Sequence, residues 1–186
     1  PKENIDRAIK KSLEKDTVNY DQMRYEGFGP AGTSIIVEAL TDNRNRTASN
    51  VRSTFQKFGG SLGETGSVSH AFKHYGFLKF NKDITTEDEF FNFSIENGAE
   101  DCFLEEDVYE TVCLPDALSK FYDLLASKYG EPVSSGFQWR PNILVKVEGD
   151  RLKSLINLIN ELDSDEDVQH IFSNFEANDE ELSRIA

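Results

Sequence analysis

Two arginines, two asparagines and two threonines stand within seven residues, Thr41-Asp42-Asn43-Arg44-Asn45-Arg46-Thr47. Guanidinium, amide and hydroxyl groups at this density suit the binding of phosphate oxygens rather than the breaking of bonds. The pattern continues downstream. Arg46, Asn50, Ser53 and Lys57 recur at steps of four, three and four, on one face of a helix, and no Asp or Glu occurs from Asn43 to Gly63. An ordinary solvated helix face has the same appearance. The want of carboxylates is what raises phosphate contact to an equal alternative.

Glycines flank that segment. Gly27-Phe28-Gly29-Pro30-Ala31-Gly32 matches G-x-G-x-x-G, but a dinucleotide loop must open a helix, and here β-branched Ile35-Ile36-Val37 follows. A hairpin loop fits instead. Gly60-Ser61-Leu62-Gly63-Glu64-Thr65-Gly66 lacks the Gly-Lys-Ser/Thr ending of a P-loop, so nucleotide hydrolysis has no support. On a strand, His70 and His74 stand ~13 Å apart, too far for one metal. His170, Cys102 and Cys113 offer no ligand spacing, Glu105-Glu106 lies in an acid-rich surface, and G-x-S-x-G is missing. The expectation is a binding protein and not an enzyme, with no metal and no cofactor.

The elements that must position these groups follow from periodicity and punctuation. Residues 1–15 read as an amphipathic helix, with Pro1 in its first turn and Ile5, Ala8, Ile9 and Leu13 as its stripe. Strands are expected over 23–28 and 33–40. The next helix takes Thr47 or Asn45 as its N-cap, buries Ala48, Val51, Phe55 and Phe58, and stops at Gly59-Gly60. Residues 67–75 alternate as a strand, with Val68, His70, Phe72 and His74 on one side.

Residues 77–140 then read as strand 77–80, helix 86–97 opened by a Thr86/Glu89 capping box, strands 101–105 and 108–114, a helix from Pro115, and strand 133–140. The order β-α-β-β-α-β is ferredoxin-like and self-contained. Strand 143–147, helix 151–162 (Leu152, Leu155, Ile156, Ile159 and Leu162 inside) and strand 168–175 complete a second, split unit around the first. The fold class expected is α+β, an α/β sandwich of two ferredoxin-like β-α-β units, one inserted into the other. Its parts are a remnant helix of an N-terminal helical domain (1–18), a split α/β domain (19–76 plus 141–178), an inserted acidic domain (77–140), and a frayed tail (179–186).

Charge divides along the same lines. Residues 1–76 carry 11 Lys and Arg against 9 Asp and Glu, and residues 77–186 carry 9 against 25, within a net charge of −14. A polyanion is therefore expected at the first part only. Hydrophobic content of 38% fits a globular chain, and no run approaches the ~18 apolar residues of a membrane span. Two cysteines are too few for a disulfide framework. A Cys102–Cys113 bond is conceivable, but reduced core thiols and a cytoplasmic location are the favoured reading. Pro1 in place of Met leads to the expectation that residues upstream are not present.

Three strings carry a resemblance: Tyr25-Glu26-Gly27-Phe28-Gly29-Pro30, Glu38-Ala39-Leu40 with the TDNRNRT run, and Gly59-Gly60-Ser61-Leu62-Gly63-Glu64-Thr65-Gly66-Ser67-Val68-Ser69. With residues 1–11 and 167–175 they make the chain similar to the YebC/PmpR family over nearly its whole length. Ala31 departs from a glycine usual there. The resemblance implies a basic helical N-terminal domain, here reduced to its last helix, followed by two α/β domains, the acidic one inserted. It implies a probable DNA-binding transcriptional regulator or, as the alternative, a ribosome-associated translation factor that relieves stalling at proline-rich stretches or activates translation.

Carried to this sequence, the resemblance assigns nucleic-acid contact to Arg44, Arg46 and Lys57, with Arg52 on the flank and Asn43 and Asn45 beside them. Gly27, Gly29, Gly32, Gly59, Gly60, Gly63 and Gly66 would allow close approach of a backbone. The expected partners are DNA or ribosomal RNA, with a protein partner for the acidic domain and no membrane.

Overall fold

The computed structural model describes residues 19–185, and these divide into two compact units, residues 19–73 with 141–185 and residues 74–140. The helix expected over 1–15 lies outside the described residues.

The first unit is built on a hairpin. Strands β1 (Asp21–Gly29) and β2 (Thr33–Thr41) pair antiparallel from Asp21↔Thr41 to Gly29↔Thr33. The Pro30–Gly32 turn joins them, with Ala31 at φ 64° and Gly32 at φ 70°. Helix α1 (Arg44–Lys57) and strand β3 (Ser61–Leu62) follow. Ile35, Ile36 and Val37 are all fully buried, as a central strand covered on both faces demands. Ile35, Val37, Val51 and Phe55 share one core with Leu152, Leu155, Leu158 and Leu162. Each such side chain contributes roughly 1.5–3 kcal/mol of burial.

The second unit takes strand β4 (Phe72–Asn81), helix α2 (Glu87–Glu96), strands β5 (Asp101–Glu105) and β6 (Val108–Cys113), helix α3 (Leu118–Tyr129) and strand β7 (Ser134–Pro141). Its sheet order, β5-β6-β4-β7, is the ferredoxin-like one. Thr86 caps α2 by accepting from Glu89 N–H at 3.3 Å, but the Glu89 carboxylate takes the Thr85 hydroxyl and Lys128, so only half of the capping box forms. Phe90 stacks on Tyr109 at 4.9 Å within a core that holds Leu78, Phe80, Cys113, Phe121 and Leu125. Both cysteines are free thiols.

Strand β8 (Val145–Lys146), helix α4 (Gly149–Ser164), strands β9 (Val168–Ser173) and β10 (Phe175–Glu176) and helix α5 (Asp179–Ile185) return to the first unit. The first unit's main sheet runs β3-β1-β2-β9, and β8 pairs with β10 in a separate two-stranded parallel sheet. The mixed α+β class stands, while this sheet departs from a second β-α-β-β-α-β unit.

The departure has a local cause. The strand expected over 67–75 is a turn at Ser69–Ala71, and β4 begins only at Phe72 and runs on through the strand expected at 77–80. Glu26 takes the N–H groups of Gly66, Val68 and Ser69, so those donors are spent on a carboxylate and not on a ladder. In α4 the buried stripe is Leu152, Leu155, Leu158 and Leu162, with Ile156 and Ile159 at its edges, because the helix presents the 158 position squarely to the sheet.

The tail expected to fray is helical. Asn178 Oδ1 accepts from Glu180 and Glu181 N–H, Leu182 and Ile185 pack on the core, and the Glu181 carboxylate accepts the Gly149 N–H at 2.6 Å. Its signals, an Asn cap and three acids in the first turn, were present in the sequence.

Candidate nucleic-acid interface

α1 begins before either expected cap. Asn43 is the N-cap, its Oδ1 accepting from Arg46 N–H at 3.0 Å. Thr47 turns inward instead, and the reason is a polar cluster beneath the first turn. The Thr41 hydroxyl accepts the Asn43 N–H at 3.0 Å and lies 2.7 Å from the Thr47 hydroxyl, which donates to Asp167 Oδ2 at 2.8 Å. Thr41 and Thr47 are fully buried and Asp167 is 6% exposed.

Arg46 completes this cluster from outside. Its Nη2 lies 3.0 Å from Asp167 Oδ2 and 2.8 Å from Asp42 Oδ1, and its Nε donates to Asp167 Oδ2 at 3.3 Å. Hydrogen bonds to Asp42 and then Asp167 push its pKa further above the ordinary arginine value. The protein's own carboxylates thus occupy the Arg46 fork, and Asn43 spends its side chain as a cap. Both side chains are thus already engaged within the protein.

The other cations stay open to solvent. Arg44 approaches Asp21 at 3.9 Å with both side chains more than half exposed. Lys57 pairs with Glu161 at 3.0 Å and holds its ammonium 5.3 Å from the Phe58 ring centroid. Among the described residues Arg52 makes no ion pair. Asn45, Ser49, Asn50, Ser53 and Gln56 share the exposed side of the helix. The carboxylates missing from residues 43–63 are therefore supplied in space by Asp21, Asp42, Glu161 and Asp167. Asp167 sits in a run of acids that gave it no distinction by sequence.

The glycines divide into two groups. A Cβ at Gly60 would come within 2.4 Å of the Phe28 carbonyl oxygen. One at Gly27 would come within 2.7 Å of the Phe55 ring, one at Gly29 within 2.7 Å of Thr33 Oγ1, and one at Gly63 within 2.5 Å of Ser67 Oγ. The groups that approach these four are the protein's own, not a ligand's. Gly32, Gly59 and Gly66 have positive φ and open space where a Cβ would stand.

Glu26 binds the second glycine loop. Buried on β1, it accepts from Gly66 N–H at 2.8 Å, Val68 N–H at 3.2 Å and Ser69 N–H at 2.6 Å. Burial works to raise its pKa, but the backbone donors, Gly66 first, prevail and hold it below the ordinary carboxylate value. Its neighbours Tyr25 and Gly27 are buried with it, and nothing in the mixed polar run of β1 marked it out by sequence.

The family model described as the TACO1/YebC second and third domain matches residues 20–175. The chain belongs to the TACO1/YebC family. The family points to a regulatory role in transcription or translation. A crystal structure of a conserved hypothetical protein, Aq1575 from Aquifex aeolicus, is similar at 35% identity and a TM-score of 0.80, over 96% of this chain and 74% of that one. Among the described residues of this TACO1/YebC chain no three His, Cys, Asp or Glu side chains converge as metal ligands, and no helix is long and apolar enough to cross a membrane.

Proposed function

We propose that this chain is a non-enzymatic, cytoplasmic regulator of gene expression that meets a nucleic-acid backbone with the outer face of α1. The observation that supports the reading is that face: Arg44, Arg52 and Lys57 exposed among neutral hydrogen-bonding side chains, with no carboxylate in the helix itself. The acids opposing Arg44 and Lys57 form solvent-exposed pairs, each worth well under ~1 kcal/mol, so a phosphate displaces them at little cost. A DNA-binding transcriptional regulator is the first form of this reading.

A ribosome-associated translation factor is the second. It is favoured by a net charge of −14 and by a face with more Asn, Ser and Gln than cations, which gains little from counterion release on bare duplex and suits structured RNA.

The test is the double substitution Arg44→Ala/Arg52→Ala, measured by anisotropy on duplex DNA and by co-sedimentation with ribosomes across salt. On duplex DNA the slope of log affinity against log salt is expected to fall by roughly 2, about 0.9 for each phosphate that is no longer neutralised. Loss of ribosome binding while DNA binding holds selects the second form. Affinity and slope unchanged on both targets refute the interface.

A further inference from the structure

The C-terminal end of α1 borders an open groove of about 490 Å³, lined by the Pro30–Gly32 turn, Phe58 and Gly59, and the first turns of α4. Sites for small organic ligands run from ~300 to 1,000 Å³, so the space is adequate for one nucleotide. Its chemistry is sorted by position. Pro30 and Phe58 give an apolar wall, Arg151 a cation, and Asp150 and Ser154 an acceptor and a hydroxyl. Arg151 is exposed and makes no ion pair among the described residues. At Gly32 and Gly59, both at positive φ, a Cβ would meet nothing within 4 Å, so bare backbone borders the opening.

A free inorganic anion is a poor match. Asp150 lines the same groove, and Glu181 already takes the Gly149 N–H at the start of α4. An apolar wall with one cation and one carboxylate acceptor instead matches the three parts of a ribonucleotide. In such a match the base would lie against Phe58 and Pro30, the phosphate would meet Arg151, and a ribose hydroxyl or base amino group would donate to Asp150. Lys57, the residue before Phe58, holds its ammonium 5.3 Å from that ring.

We propose that this groove receives one unpaired ribonucleotide of the RNA whose backbone lies on α1. This rests on the nucleic-acid reading of α1 and adds a preference for RNA with a splayed-out base. The test compares two RNA hairpins, one perfectly paired and one with a single unpaired uridine, on the full chain and on Arg151→Ala and Phe58→Leu. The unpaired hairpin is expected to bind about tenfold tighter, and each substitution to erase that preference while leaving the paired hairpin's affinity unchanged. A 4-thiouridine at the unpaired position should crosslink to the peptide that holds Phe58.

If neither substitution changes the preference, or the chain shows no preference while Arg44→Ala/Arg52→Ala still weakens both hairpins, the groove assignment falls and the α1 reading stands. Indifference of both hairpins to Arg44→Ala/Arg52→Ala overturns the α1 reading and this proposal with it.

Discussion

Replacing Asp167 by Ala isolates what holds α1 in place. The carboxylate is 6% exposed and takes the Thr47 hydroxyl at 2.8 Å and the Arg46 guanidinium at 3.0 Å. Fully buried Thr47 loses its best acceptor but retains the Asn43 carbonyl at 3.2 Å, which limits that loss to about 1 kcal/mol. Arg46 is 44% exposed at its side chain, so its charged hydrogen bond must be discounted from the 1.5–3 kcal/mol of a desolvated one to about 1. The Leu40 N–H to Asp167 carbonyl bond at 2.8 Å survives the substitution. The sum is about 2 kcal/mol, roughly a thirtyfold loss in the unit's folding equilibrium. The chain's one tryptophan, Trp139, lies in the other unit, so its fluorescence is the wrong probe. Hydrogen exchange of α1 and β9 peptides through a urea series reads the right one. Arg46→Ala combined with Asp167→Ala should cost less than the two single losses together, because the second substitution removes a charge already orphaned. Protection of α1 unchanged by Asp167→Ala would refute the reasoning.

Two other perturbations probe the loops. The folded pKa of Glu26 lies below the ordinary 4.5, so its contribution is complete above that value and is lost as pH falls through the lower folded value. Exchange at the Gly66 and Ser69 amides should accelerate in that acid window, and Glu26→Gln should remove the pH dependence at a cost of about 2 kcal/mol. Gly60→Ala drives a Cβ to 2.4 Å from the Phe28 carbonyl and should cost about 2 kcal/mol or more in thermal or urea unfolding. Gly59→Ala, strained by φ +80° but unobstructed, should cost about 1 kcal/mol.

Local signals carried most of the fold. The Gly-Pro hairpin, the Phe55 helix face, the Thr86 cap and the ferredoxin-like order of residues 77–140 all rest on periodicity and capping that act within a few residues. Long-range hydrogen bonds undid the rest. Alternation at 67–75 promised a strand, yet Glu26, forty residues upstream of Gly66, claimed the backbone donors that a strand needs. The 143–147 strand shrank to Val145–Lys146 because its partner is the two-residue β10, which no pattern in the sequence announces. Thr47 had the right type for a cap, but a buried acceptor 120 positions away gave its hydroxyl a better use.

The charge of α1 shows the same limit from the side of function. Sequence locates an acid-free window, and a phosphate responds to the field in space, where four outside carboxylates close on that window. They do not close evenly. Asp167 is buried and fixed, so Arg46 is held where it is; Asp21 and Glu161 are exposed and hold Arg44 and Lys57 weakly; Arg52 has no ion-pair partner among the described residues. A polyanion approaching α1 therefore meets cations graded by how readily each can leave its present partner. If α1 meets a polyanion as proposed, Arg52→Ala is expected to weaken binding most, Arg44→Ala and Lys57→Ala less and Arg46→Ala least, whereas in urea unfolding Arg46→Ala is expected to cost the most of the four; the opposite order in the binding assay refutes the grading.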